Sequence, residues 1–309
     1  MAAYRRTVAI ALGLSLLAVP ALAAELGDAA PALKIKEWVR GSPVDLEKGK
    51  GKHVYVVEFW ATWCPPCRAS IPHLTEMQKK FKKQGVVFIG ISDENVGKVK
   101  PFVKQQGDKM AYTVAVDDGR STNKAYMRAF GIGGIPHAFI VDKAGVIAWH
   151  GHPMSGLESA LEKILAGEWD IQAAQRADKV RRLIPKYYEM ASKGKKTKKL
   201  RKTGKKILKY GRQDATMMNE FAWTILTHPR IAYRDVKLAK KAAKAAYDAS
   251  EGRDPAIIDT YARALFDSGD VRGAVEYQKK AIEICKDPKM MGDLKNTLAR
   301  YRAELPKDA

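Results

Sequence analysis

Two of the three cysteines in this chain of 309 residues stand as Cys64-Pro65-Pro66-Cys67, directly after the apolar run Val56–Trp60 and directly before a stretch of helical periodicity. That spacing lets two sulfurs close a small disulfide ring or open to a dithiol, so the chemistry on offer is thiol–disulfide exchange. A structural staple and a metal site are the competing uses. Secreted domains that rely on staples are rich in cysteine, whereas this chain adds one distant thiol, Cys285. A zinc site needs two more ligands, and no second C-x-x-C or H-x3-H follows. No metal and no cofactor are expected.

The segments around the pair read as the frame that positions it. His53–Trp60 is a near-continuous apolar run rich in β-branched and aromatic residues, the pattern of a strand buried on both faces. From Pro66 to about Gln84 the apolar residues Ile71, Leu74, Met77 and Phe81 recur at helical intervals, and Gly85 stops them. Val86–Ile91 is a second buried strand, which makes a β-α-β unit with parallel strands. A helix over about 96–106, a strand over 112–116 and a helix over 122–130 follow. A turn at Gly131–Pro136 leads into a strand ending at Asp142. Lys143-Ala144-Gly145 reverses the chain into Val146–His150, and Gly156–Leu165 closes an α/β domain.

At the start, Arg5 and Arg6 precede the apolar run Val8–Val19, which ends in Ala21-Leu22-Ala23. The run is too short to span a bilayer and reads as the core of a cleaved export signal over residues 1–24. The arginine pair also admits twin-arginine export, although its flanks fit poorly. The mature protein is expected to be soluble in a bacterial periplasm.

Charge divides the chain. Residues 25–170 hold 20 Lys and Arg against 17 acids, while residues 171–309 hold 33 against 17. The basicity belongs to the second half and is no requirement of the cysteine chemistry. It is densest between Lys179 and Lys209, with 14 cations and Glu189 as the lone acid. Residues 171–212 read as a basic, helical connector with turns at Gly194 and Gly204. Nucleic acid is not the expected partner, because aromatics are not interleaved and no binding motif accompanies the lysines. An acidic protein or peripheral contact with an anionic membrane surface fits the charge better.

Helical periodicity then runs through residues 213–309, as pairs over 214–227 with 235–249 and 255–268 with 271–284, and a last helix near 292–305. Ala262, Gly269, Ala274 and Ala281 stand where small residues let two helices pack closely, with Ala222 the equivalent in the first pair. This spacing resembles the tetratricopeptide repeat, closely over 255–286 and loosely over 214–249.

Residues 28–167 resemble the thioredoxin superfamily. Trp63-Cys64-Pro65-Pro66-Cys67 is most similar to the exported reductases of the TlpA/ResA type. Further landmarks of that resemblance are Glu58, six before Cys64, where thioredoxin carries a buried acid; Pro72, five after Cys67, at the kink of the active-site helix; and Ile135-Pro136, at the position of the family's cis-proline. The fold implied is an α/β thioredoxin-like domain, a mixed sheet flanked by helices, over residues 25–170, followed by an all-α helical-repeat domain over 213–309.

The resemblance implies roles. Cys64, partly exposed at the helix start, attacks a partner disulfide as the thiolate, and the more buried Cys67 displaces the product. Because Pro65 and Pro66 lack N–H groups, the nearest donors to the Cys64 sulfur are those of Cys67 and Arg68. A thiol less acidic than in strongly oxidising relatives, and hence a reductant, is expected. Glu58 is the candidate proton acceptor for Cys67, against an acid that merely reaches water or a lysine at a strand end. Pro136 holds the backbone of Ile135 open to a substrate strand, and Trp63, Pro65, Ile135 and His137 are expected at the substrate surface. Trp60 reads as core. His137 and His73 lie near the cysteines in this reading, and His150-Gly151-His152 reads as a solvated turn more readily than as a metal site.

The function that follows is a periplasmic thiol–disulfide oxidoreductase that reduces protein disulfides. A membrane protein would return electrons to Cys64 and Cys67, and the helical domain would recruit a protein partner. An adaptor with an accessory redox module is the rival reading. A peroxide-reducing enzyme fits less well, since its cysteine sits in a different local motif.

Overall fold

The computed structural model describes residues 24–305, so the expected export signal lies outside the described residues but for Ala24. The chain divides into two compact units, one ending at Leu157 and one beginning at Glu158.

The first unit is built on one six-stranded sheet: β1 (Ile35–Arg40), β2 (Val54–Trp60), β3 (Val86–Ser92), β4 (Thr113–Asp117), β5 (His137–Val141) and β6 (Ile147–Gly151), in the order β1-β4-β3-β2-β5-β6. Strands β2, β3 and β4 are parallel, and β1, β5 and β6 run antiparallel to their neighbours. All of β2 is buried because it is covered on both sides. Phe59 packs edge-on against Phe139 and beside Tyr126, while Trp60, on the other face, meets Phe102 of α2 (Val96–Gln106).

Helix α1 (Pro65–Phe81) leaves the end of β2 through the cysteine loop and returns to β3 through a 3-10 turn closed by Gly85, which takes the left-handed conformation at φ 81°. Ile71, Leu74, Met77 and Phe81 are its buried stripe. The segment expected as one helix near 122–130 is a single α turn, α3 (Ser121–Asn123), running into a π-helical turn over Lys124–Arg128. The Asp117 carboxylate holds its start by accepting from the N–H groups of Thr122 and Asn123, at 2.9 and 2.8 Å.

Helix α4 (Leu157–Ala166) lies at the junction. The second unit continues with α5 (Ile171–Ser192), α6 (Lys198–Gly211), α7 (Ala215–Thr227), α8 (Val236–Ala249), α9 (Pro255–Asp267), α10 (Val271–Ile284) and α11 (Pro288–Ala303). Each of α5–α11 begins at an Asp or Thr whose side chain accepts from a backbone N–H two or three residues on. Such caps contribute about 1 kcal/mol each.

The segment read as a connector is two ordered helices that share the core of this unit: Val180, Tyr187, Leu200 and Ile207 are buried in one cluster with Met218 and Phe221. Gly194 does turn the chain, at φ 70°. Gly204 does not; it lies inside α6, and a Cβ there would come within 2.5 Å of Leu238 Cδ2. Its smallness serves a close helix approach. The last helix begins at Pro288, its first-turn proline, four residues before the expected start.

Candidate functional site

Cys64 and Cys67 are joined in a disulfide, with Cα atoms 5.3 Å apart. Cys64 is the N-cap of α1, and its sulfur accepts from the Cys67 N–H at 3.2 Å. The Arg68 N–H is already committed, because it donates to the Cys64 carbonyl at 3.1 Å. With Pro65 and Pro66 at the first two helical positions, one N–H therefore serves the sulfur where an ordinary helix start offers several.

Cys64 is not partly exposed. In this oxidised state it is 2% accessible and Cys67 is closed off entirely. The surface around them is open instead: Trp63 is 68% exposed, and Pro65, Pro66 and Arg68 are exposed as well. Burial of Cys64 comes from the far side of the sequence. The Ile135–Pro136 peptide is cis, Pro136 is buried, and the Ile135 carbonyl oxygen lies 3.8 Å from the Cys64 sulfur. β5 delivers this loop, since the pairing of Phe59 with His137 sets it beside the end of β2.

Sequence reasoning missed a residue that fixes the cysteine loop. The Glu94 carboxylate accepts from the Thr62 N–H at 2.6 Å and from the Thr62 hydroxyl at 3.0 Å, tying the loop to the end of β3. Its only signal was an acid just past an apolar strand. Beside the loop runs a groove of about 350 Å³ whose walls include Trp63, Met127, Arg128, Ile132 and Ile135.

His137 and His150 are brought together across β5 and β6, with His137 Nε2 and His150 Nδ1 3.0 Å apart. His150 also packs edge-on against Phe130. It is therefore part of an aromatic cluster and not of a solvated turn. His152 is engaged separately, accepting from the Met154 N–H.

Glu58 sits in the middle of β2 and is 2% exposed. Among the described residues neither carboxylate oxygen has a hydrogen-bond partner. Burial alone lifts its pKa to about 8. A carboxyl titrating there exchanges a proton near neutral pH, as a general base must. Trp60 is core, as its contact with Phe102 requires, but its indole N–H is also unpartnered. Tyr112, a second residue that the sequence did not mark, ends with its hydroxyl buried and unpartnered. Burial and the charge of Glu58 push that phenol well above its usual range.

The arrangement is a disulfide pair at a helix N-terminus, a cis-proline loop against the Cys64 sulfur, and a buried carboxyl with its pKa raised to about 8. The AhpC/TSA family profile matches residues 26–150. Thiol-disulfide oxidoreductase ResA of Bacillus thuringiensis (strain Al Hakam) is 36% identical over 124 residues, covering 40% of this chain and 67% of that protein. Protein FixW of Rhizobium leguminosarum is 29% identical over 163 residues, 50% of this chain and 72% of that protein. A solved thiol:disulfide interchange protein of the thioredoxin family from Chlorobium tepidum TLS is 31% identical and covers 45% of this chain and 99% of its own, at a TM-score of 0.34 that by itself decides nothing. The matched stretch spans Cys64 and Cys67, and the chain belongs to the AhpC/TSA family of thioredoxin-like proteins as a thiol–disulfide oxidoreductase similar to ResA.

Proposed function

We propose that this oxidoreductase works outside the cytoplasm, in a periplasm, as a reductant of protein disulfides, and that its helical unit recruits the partner. The observation that carries the redox direction is the sparse solvation of the Cys64 sulfur by one N–H, that of Cys67. A thiolate stabilised by few donors is a stronger nucleophile and a poorer leaving group, which favours giving electrons over taking them.

The Cys64 thiolate attacks one sulfur of the substrate disulfide, and the other leaves as a thiolate that takes a proton. Cys67 then passes its proton to the Glu58 carboxylate and attacks the Cys64 sulfur. The substrate's second thiolate departs, and Cys64 and Cys67 are left as the disulfide, two electrons having gone to the substrate. A membrane-bound dithiol donor would restore the reduced pair.

Export rests on the leader-like residues 1–24, and recruitment on the surplus of cations over residues 171–309. Among the described residues no helix is long and apolar enough to cross a membrane.

Trapping tests the whole reading. Cys67→Ala in the full chain should stall at the first step and accumulate mixed disulfides through Cys64 that reductant releases, while insulin reduction by the unaltered protein proceeds. Absence of both trapped partners and insulin reduction would replace this function with that of a helical adaptor.

A further inference from the structure

Among the described residues of the first unit, three buried polar side-chain groups lack a hydrogen-bond partner: the Glu58 carboxylate, Trp60 Nε1 and the Tyr112 hydroxyl. They are neighbours. Glu58 and Trp60 are two apart on β2 and so point to the same face. Glu58 pairs in register with Gly90 on β3. A Cβ on Gly90 would meet Tyr112 Cε2 at 3.0 Å and Trp60 Nε1 at 3.1 Å, so both rings close over the one neighbour that has no side chain. Burial, and after it the charge of Glu58, pushes the Tyr112 phenol well above its usual range, in keeping with that placement.

The three groups are also chemically complementary. Indole N–H is a donor only, phenol O–H is a donor and acceptor, and an ionised carboxylate accepts through two oxygens. Burial is what raises the Glu58 pKa, and among the described residues no side chain hydrogen-bonds to its oxygens. The donors at hand to favour its ionised form are the indole N–H and the phenol O–H.

We propose that Tyr112 and Trp60 are positioning residues for Glu58: their O–H and N–H turn to the carboxylate in the state that takes the proton from Cys67, and Gly90 is required because any side chain there would part them. This rests on the reading of Glu58 as proton acceptor.

The test uses the full-length reduced protein. Tyr112→Phe keeps the ring and removes one donor. The Glu58 carboxyl, followed by side-chain carbon NMR, should then titrate about one pH unit higher. Resolution of a mixed disulfide at pH 7 should slow about tenfold and recover at higher pH, since one unit is a tenfold change in the ionised fraction. Gly90→Ala should move both readouts the same way with Tyr112 intact, and the Trp60 indole N–H shift should follow the Glu58 titration. An unmoved carboxyl titration and an unmoved pH profile in both folded variants would overturn the role of Tyr112. An indole shift flat across the Glu58 titration would overturn that of Trp60. If Glu58→Gln leaves resolution unchanged, Glu58 is not the acceptor, yet the carboxyl titration of Tyr112→Phe still decides whether the Tyr112 hydroxyl donates to Glu58.

Discussion

The two units put the same physical feature, the start of a helix, to opposite uses. In the helical unit each of α5–α11 opens under an Asp or Thr side chain that fills its free N–H groups. In the sheet unit α1 opens under the sulfur of Cys64, with no acid in its first turn and two prolines that delete donors. An Asp or Thr cap keeps the same bonding whatever the redox state, so those helix starts contribute stability. A sulfur cap exists in two redox states, so the start of α1 is where a change of bonding meets the helix dipole. Stability and chemistry are separated by what occupies one position per helix.

The largest test of that contrast concerns Glu58 on β2, the strand that leads into α1. Glu58 titrates near 8 in the folded protein, against the usual 4.5 for its type. A raised carboxyl pKa means that the folded state holds a proton which the unfolded state gives up. Stability is therefore full below about pH 4.5 and falls as pH rises to about 8, by on the order of 5 kcal/mol across that window. Glu58→Gln should remove the slope, making the variant the more stable protein at pH 9 and no better at pH 5 in urea titrations. A slope that survives the substitution would mean that another group causes it.

Restoring a donor to α1 should give a smaller effect. Pro66→Ala adds an N–H at the second helical position, within the usual reach of an N-cap side chain. The Cys64 thiol of the reduced variant should titrate about one pH unit lower, read by thiolate absorbance, and the pair should become more oxidising. An unchanged titration would show that prolines do not set the sulfur's acidity.

The smallest effect belongs to the helical unit. Asp254→Ala leaves the Ala256 and Ile257 N–H groups without their cap and should cost about 1 kcal/mol in thermal unfolding. Insulin reduction should be untouched. A loss of turnover would tie this unit to the chemistry and blur the contrast.

What was legible in the sequence follows from range. β2, β3 and β5 are apolar runs and α1 is a stripe at helical spacing, so local pattern suffices for them. The cysteines, Glu58 and Pro136 could be placed because their spacing is that of the thioredoxin resemblance. The core role of α5 and α6 was hidden, since Val180, Tyr187, Leu200 and Ile207 are diluted among lysines that face solvent. Gly204 read as a turn because its reason is Leu238, on another helix. Tyr112 and the burial of Cys64 depend on contacts made by distant strands, Gly90 in the first case and Ile135 in the second. Such facts belong to the strand order and not to any local motif.

The sheltered sulfur has one more consequence. Cys64 is closed off while Trp63 beside it stands 68% exposed. On the proposed function, a dithiol donor approaching this oxidised state meets the indole and the prolines first, and the groove at Ile135 is the opening beside them. Selection then acts on the shape of the incoming chain before any electron moves. Two donors of equal redox potential would be told apart by how far their thiols project.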